Sequence, residues 1–221
     1  MNLSVSDRLH AAAAPIWEKC LRHPFVTGIG DGTLDVEKFR FFMLQDYLYL
    51  FDYAKVFALG VVKARDPRLM RLFARNVDAV LGGEMNIHRA YMKRLGITEE
   101  QVLAVQPALD NLSYTHYMLS VASAGTPMEI IASILACSWS YAEIGKTLAE
   151  IPGAMDHPFY GEWIRGYAGE EYAATNDDLI HLMNELAKDA SKEQLEHLCD
   201  IFVNCSRYEL GFWQMSWEMR L

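Results

Sequence analysis

Apolar residues along this chain recur at helical spacing, and no segment alternates apolar and polar positions between hairpin turns. The expected fold class is therefore all-α. The clearest element begins at Gly125-Thr126-Pro127-Met128-Glu129. There Thr126 is placed to cap, Pro127 to take the first helical position and Glu129 to close a capping box. Beyond it Ile130, Ile134, Cys137, Tyr141, Ile144 and Leu148 share one stripe, and no charge falls between Glu129 and Glu143. This helix should be buried on nearly all sides, with Cys137 at its middle.

The same reasoning places the remaining elements. A first helix covers residues 4–21, ended by His23-Pro24, and residues 28–32 read as a connecting loop. Thr33 can cap a long second helix to about residue 64. Asp66-Pro67 starts a third that reaches residue 95. Thr98 and Gln101 form a capping box for a short piece before Pro107, and Asp110 or Ser113 opens a helix to residue 124. After the Cys137 helix, Pro152-Gly153 is a stop and His157-Pro158 starts a stretch through residue 172. Asn176-Asp177-Asp178 begins another, and Ser191 with Gln194 caps a last helix that runs to the C-terminus. Gly82-Gly83 and Gly211, inside long helices, are expected to permit close helix approach at about 1 kcal/mol each relative to alanine. Short loops, no linker and no internal repeat predict a single helical domain over the 221 residues.

Composition narrows the function. A hydrophobic content of 52% supplies a sizeable core, while a net charge of −9 argues against binding a phosphate backbone. The local cluster Lys63, Arg65, Arg68 and Arg71 reads as a solvated helix face. No stretch reaches the ~20 apolar residues of a membrane span. The Ala11–Ala14 run is preceded by Asp7 and Arg8 and broken by Pro15, unlike a signal peptide. Cys20, Cys137, Cys199 and Cys205 lack a CxxC spacing, so reduced thiols in a cytoplasm are expected.

Two apolar stripes carry a carboxylate. Phe39, Phe42, Asp46, Tyr49 and Tyr53 share a face of the second helix, where Asp46 is either at an edge or buried and paired. Leu198, Phe202, Cys205, Glu209 and Phe212 form the stripe of the last helix, and Glu209 has no Lys or Arg one turn away. A carboxyl desolvated in that way should have a raised pKa, as a general acid requires. A hydrogen bond to a Tyr or Arg from another helix would explain Glu209 equally. Cys137 itself could be only a small core hydrophobe. Taken with Tyr114, Tyr141 and Tyr167, the set resembles a pocket for a flat, polar aromatic ligand. Metal ligation competes less well. Glu84 and His88 stand at i, i+4, whereas a helical di-iron site uses Glu-x-x-His at i, i+3, twice. His23 and His157 precede prolines, where capping is the simpler role, although a haem on His23 is conceivable.

Four segments in order then resemble one family. These are Leu44-Gln45-Asp46-x-x-Tyr49-Leu50, Leu135-Ala136-Cys137-x-Trp139-x-Tyr141-x-Glu143-Ile144-Gly145, His157-Pro158-x-Tyr160-x-x-Trp163-Ile164-x-x-Tyr167 and Tyr208-Glu209-x-x-Phe212-Trp213-x-Met215. The segment Glu84-x-x-x-His88-Arg89 fits as well. The chain is similar to the TenA family, the thiaminase II aminopyrimidine aminohydrolases, in its cysteine-bearing subgroup. The resemblance implies a haem-oxygenase-like helical bundle, a homotetramer and no cofactor or metal. It also implies hydrolysis at the exocyclic methylene of a thiamine-type pyrimidine. Aminomethylpyrimidine would become hydroxymethylpyrimidine plus ammonia, and thiamine could be cleaved. In that scheme Cys137 is the nucleophile, Glu209 the proton shuttle and Asp46 the group that grips the ring's amino nitrogen. Tyr49, Tyr114, Tyr141, Tyr167 and Phe212 line the pocket. Two other classes stay open: a non-catalytic pyrimidine-binding or regulatory protein, and a metal-dependent oxidase on the same bundle. Trp213, Met215, Trp217 and Met219, crowded into the last turns, suggest a subunit contact.

Overall fold

In the computed structural model, which describes residues 3–221, every regular element is helical and no strand occurs among the described residues. The chain folds as α1 (Val5–Leu21), α2 (Pro24–Gly30), α3 (Val36–Lys63) and α4 (Pro67–Asp78). A π-helical turn (Ala79–Glu84) leads into α5 (Met85–Arg94), then α6 (Glu99–Ala104), α7 (Leu109–Ala124) and α8 (Pro127–Ala149). A 3-10 turn (Ala154–Asp156) precedes α9 (Gly161–Ala168), α10 (Glu170–Leu186) and α11 (Lys192–Glu218). Contacts divide the chain into two compact units. One takes the chain up to Leu34 together with Ile131–Gln214, and the other Asp35–Ile130 with Met215–Leu221.

Most boundaries follow local chemistry. Ser4 caps α1 through a reciprocal capping box with Asp7. The Thr126 amide donates to the Glu129 carboxylate at the start of α8 (2.8 Å), and the Ser191–Gln194 exchange opens α11. Five expectations fail. Residues 28–30 are not loop: the His23 ring accepts from the Phe25 amide, Pro24 sets the first turn, and Phe25, Val26 and Ile29 are buried. Thr33 does not cap α3, because its hydroxyl and amide both bond Asp31 and the cap passes to Asp35. Asn176 starts no helix; it lies inside α10, where its buried amide oxygen accepts from Ser138 (3.0 Å). The helix expected to run from 67 to 95 is broken into α4, the π-turn and α5, and the stretch begun at His157-Pro158 is broken at Gly169.

In the first unit α1 packs on α2 and α10, and α9 packs on α10. The Trp17 indole donates to the Ser206 hydroxyl (3.0 Å), fastening α1 to α11. In the second unit α3 is the axle, with α4, the π-turn, α5 and α7 against it. Gly82 and Gly83 bring no helix close, since a Cβ at either would meet nothing within 4 Å. Gly145 is the glycine that does. A Cβ there would stand 2.6 Å from the Tyr167 carbonyl carbon and 2.8 Å from the Ala168 nitrogen. Backbone cannot step aside as a side chain can, so α8 and α9 hold their spacing only with glycine at this point.

The Gly145→Ala variant is therefore expected to lose about 1–3 kcal/mol, the cost of overpacking. Urea denaturation compared with the parent chain measures it, and an unchanged midpoint would mean that α9 is free to move.

Candidate active site

The uncharged middle of α8 is buried as its pattern predicts, with Ile130 and Ile134 fully covered and Ile144 and Leu148 nearly so. Cys137 lies in the same stripe yet retains 9% exposure, against 1% and 0% for Cys20 and Cys205. Burial, with the negative charge of Glu209 added, pushes the Cys20 thiol up to about 12, and the same two causes raise Cys205 well above its ordinary value. Desolvation and Asp200 raise Cys199. These three thiols are thus held in the unreactive protonated form.

One turn beyond Cys137, Tyr141 enters an aromatic nest. Its ring centroid lies 4.8 Å from Tyr167, 5.2 Å from Trp213 and 6.0 Å from Trp163, and Tyr167 is 4.7 Å from Trp163. The first unit thus brings Tyr141 and Tyr167 together. Glu209 and Phe212, 2% and 3% exposed, lie one turn apart on α11, with Trp213 of the nest next to Phe212. Next to Cys137, the Ser138 bond to Asn176 ties α8 to α10.

The second unit brings together Asp46, Tyr49 and Tyr114. The Tyr49 ring stacks on Tyr53 at 5.4 Å and meets Tyr114 at 5.2 Å, while its hydroxyl donates to the Met118 sulfur (3.7 Å). Gln45 fixes that meeting. Its amide oxygen accepts from the Ala108 amide (2.9 Å), its NH2 donates to the Gln106 carbonyl (3.0 Å), and its own carbonyl accepts from Asn111 (2.8 Å). The start of α7 is thereby clamped to α3.

Asp46 is buried and paired, and its partner is His88. The contact between His88 Nε2 and Asp46 Oδ2 is 2.6 Å, with both side chains almost wholly out of solvent. His88 Nδ1 donates to the Glu84 carbonyl (3.0 Å), which can only accept. Burial works against a charged ring, but the hydrogen bond and charge of Asp46, helped by Glu84, outweigh it and lift His88 above its ordinary 6.5. The Glu84/His88 spacing, weighed from sequence as a metal pair, instead sets a carbonyl behind an imidazole ring whose other nitrogen bonds Asp46 on another helix.

The π-turn makes this possible. Buried positions run Phe73, Asn76, Val80 at normal helical spacing, jump five residues to Met85, and resume as His88 and Met92. The Met85 amide donates to the Val80 carbonyl, five residues back, which is the π-helical bond. With that extra residue, His88 faces α3 and Ile87 is left half-exposed. The other two histidines before prolines do cap. His23 accepts from Phe25, and His157 Nδ1 accepts from Phe159 and Tyr160. An open groove of about 860 Å³ lined by Pro15, Arg22, His23, Arg207, Leu210 and Gln214 includes none of the predicted site residues.

Residues 10–219 match the model of the TENA/THI-4/PQQC family. The chain belongs to this family. An aminopyrimidine aminohydrolase from Halalkalibacterium halodurans is 50% identical over 99% of this chain and 98% of its own length. Another, from Helicobacter pylori, is 45% identical over 98% of this chain and all of its own. A solved Shewanella denitrificans domain of unknown function, described as having a heme oxygenase-like fold, superposes with a TM-score of 0.78. It covers 96% of this chain and 92% of that one, and at 16% identity it speaks for the fold alone. The all-α, haem-oxygenase-like architecture expected of a TenA-family chain is thus the architecture found.

Two buried histidines titrate in opposite senses. His88, raised, contributes stability that is complete below 6.5 and is lost as pH climbs through its own higher value. Burial lowers His23, against a hydrogen bond to Gln214, so its contribution is present above 6.5 and lost as pH falls toward its own lower value. Thermal melts from about pH 5 to about pH 9 should therefore decline at both ends. His88→Gln is expected to flatten the alkaline limb, and His23→Asn, which keeps a capping side chain, the acid limb.

Proposed function

We propose that this chain is an aminopyrimidine aminohydrolase. It would hydrolyse the exocyclic methylene of thiamine-type pyrimidines, turning aminomethylpyrimidine into hydroxymethylpyrimidine and ammonia and cleaving thiamine itself. The observation that carries this reading is similarity over essentially the whole chain to two aminopyrimidine aminohydrolases, at 50% and 45% identity. Position supports Cys137 as nucleophile: it stands one turn of α8 before Tyr141 of the aromatic nest and keeps 9% exposure, whereas burial pushes up the thiols of Cys20 and Cys205.

The proposed chemistry needs no group beyond these side chains. The Cys137 thiolate adds to a ring carbon, and the displaced electron pair makes the ring an electron-rich enamine. Glu209 gives a proton to the exocyclic amine, whose carbon–nitrogen bond breaks to release ammonia. The Glu209 carboxylate then takes a proton from water, and the hydroxide adds to the methylene. Departure of the thiolate restores the aromatic ring. Asp46 grips the ring's amino group, and Tyr49, Tyr114, Tyr141, Tyr167 and Phe212 hold the ring by stacking or hydrogen bonding. The burial of Glu209 in an apolar stripe suits a proton carrier.

The whole chain would act as one catalytic domain of a cytoplasmic homotetramer. No helix among the described residues is long and apolar enough to cross a membrane. Of the four residues offered above as a subunit contact, Trp213 and Met215 are buried in the chain's own fold, Trp217 is half-buried and Met219 is exposed. Met219, with Phe51, Val62, Met70, Leu81 and Leu109 exposed on the same second unit, supports assembly through that unit. Light scattering is expected to give four times the 25.2 kDa chain mass, and a monomer at micromolar concentration would refute the assembly.

Incubation with aminomethylpyrimidine and thiamine side by side, with products identified by mass, tests the reaction. Cys137→Ser should abolish ammonia release while pyrimidine binding survives, and near-normal turnover in that variant would rule out the covalent route. Glu209→Gln should lower turnover at least ~100-fold with affinity changed far less. A collapse of affinity with only a few-fold loss of turnover would make Glu209 a binding residue.

A further inference from the structure

We infer that His88 is a positioning residue for the reaction: an imidazolium that pins Asp46 Oδ2 so that Oδ1 meets the substrate. The inference rests on the proposed role of Asp46 as the group that grips the pyrimidine. Two distances carry it. Nδ1 is 3.0 Å from a carbonyl oxygen and Nε2 is 2.6 Å from a carboxylate oxygen. A carbonyl cannot donate, so Nδ1 carries a proton. Nε2 then either carries the second proton or accepts one from a neutral Asp46. Glu84, in the π-turn, places a negative charge near the ring that favours the imidazolium. Arg89, Lys93 and Arg94, the cations of α5 itself, are on its exposed face, and Arg40 of α3 bonds the Leu95 carbonyl at the far end.

The consequence for binding follows from the geometry of a carboxylate. Alone in a cavity, Asp46 could rotate about its terminal torsion, and that change spoils the match to an amino group. A hydrogen bond of 2.6 Å fixes the rotation before substrate arrives. The ring is itself fixed by the Glu84 carbonyl, within the turn that sets the phase of α5. As pH rises through the pKa of His88, Nε2 becomes a lone pair facing Oδ2, and the alignment fails.

The test uses the full chain. Titration of the imidazole nitrogens by NMR should show His88 doubly protonated at neutral pH, and Asp46→Asn should lower its pKa. In steady-state ammonia release from aminomethylpyrimidine, His88→Leu should raise KM roughly 10-fold or more with kcat less affected. His88→Gln, a neutral donor near the Nε2 position, should recover KM to within about 3-fold at neutral pH and lose the alkaline rise in KM of the parent. A neutral His88 at pH 7 in an active parent would overturn the inference. So would a folded Leu variant with parental KM, or a Gln variant with the parent's pH profile. Absence of ammonia release from the parent would instead overturn the aminohydrolase reading, and the positioning role with it, whatever the NMR shows of the pair.

Discussion

A carboxylate buried among phenylalanines and tyrosines must be neutralised, by a proton or by a cation. The second unit is arranged around that requirement at Asp46. Its stripe on α3 is otherwise aromatic, and its buried partner, the His88 ring, arrives from α5, 42 residues along the chain. Delivery needs α5 at a defined rotation, hence the π-turn, and a ring anchored from behind, hence the Glu84 carbonyl. Removing one member of such a buried pair costs about 3–5 kcal/mol, far more than an exposed pair is worth. The exposed Arg22–Glu18 and Lys192–Glu196 pairs, by contrast, decide nothing about the fold.

The first unit solves a different problem, how deeply each of four thiols is buried. Burial alone silences a cysteine, and here it acts on Cys20 and Cys205 with Glu209 reinforcing it. Cys137 is in the middle of the most apolar helix and still keeps a margin of exposure. The close approach at Gly145 sets where Tyr167 stands relative to Tyr141, and so shapes the aromatic nest one turn from the sulfur. Helix spacing fixed by a single missing Cβ is thus passed on to the orientation of two rings.

Much of this was legible in the residues. Capping chemistry is local, so the starts of α6, α8 and α11 followed from Thr98, Thr126 and Ser191. The stripes of Asp46, Cys137 and Glu209 were visible because helical phase is preserved within each element. What failed was long-range or phase-breaking. Asn176 looked like a helix start because Asn-Asp-Asp favours caps, but a buried partner at Ser138 outweighed that preference. Thr33 lost its cap to a tighter local bond with Asp31. His88 could not be matched to Asp46, since a regular helix from 67 to 95 puts the wrong residues on the buried face. Only the doublet Gly82-Gly83 hinted at an irregular turn.

That turn makes the site sensitive to a kind of change that side-chain reasoning overlooks. Deleting one residue anywhere from Ala79 to Glu84 would let the chain run as ordinary α-helix, with better backbone bonding and no lost core volume at Gly82 or Gly83, where neighbours are absent. Everything after it would rotate by about 100° relative to what precedes it. Apolar Ile87 would then compete for the place of His88, and Asp46 would be buried with no cation. A chain one residue shorter could thus keep its helices and lose its chemistry. With the proposed role of Asp46, the length of the π-turn is as much a part of the site as the carboxylate it serves.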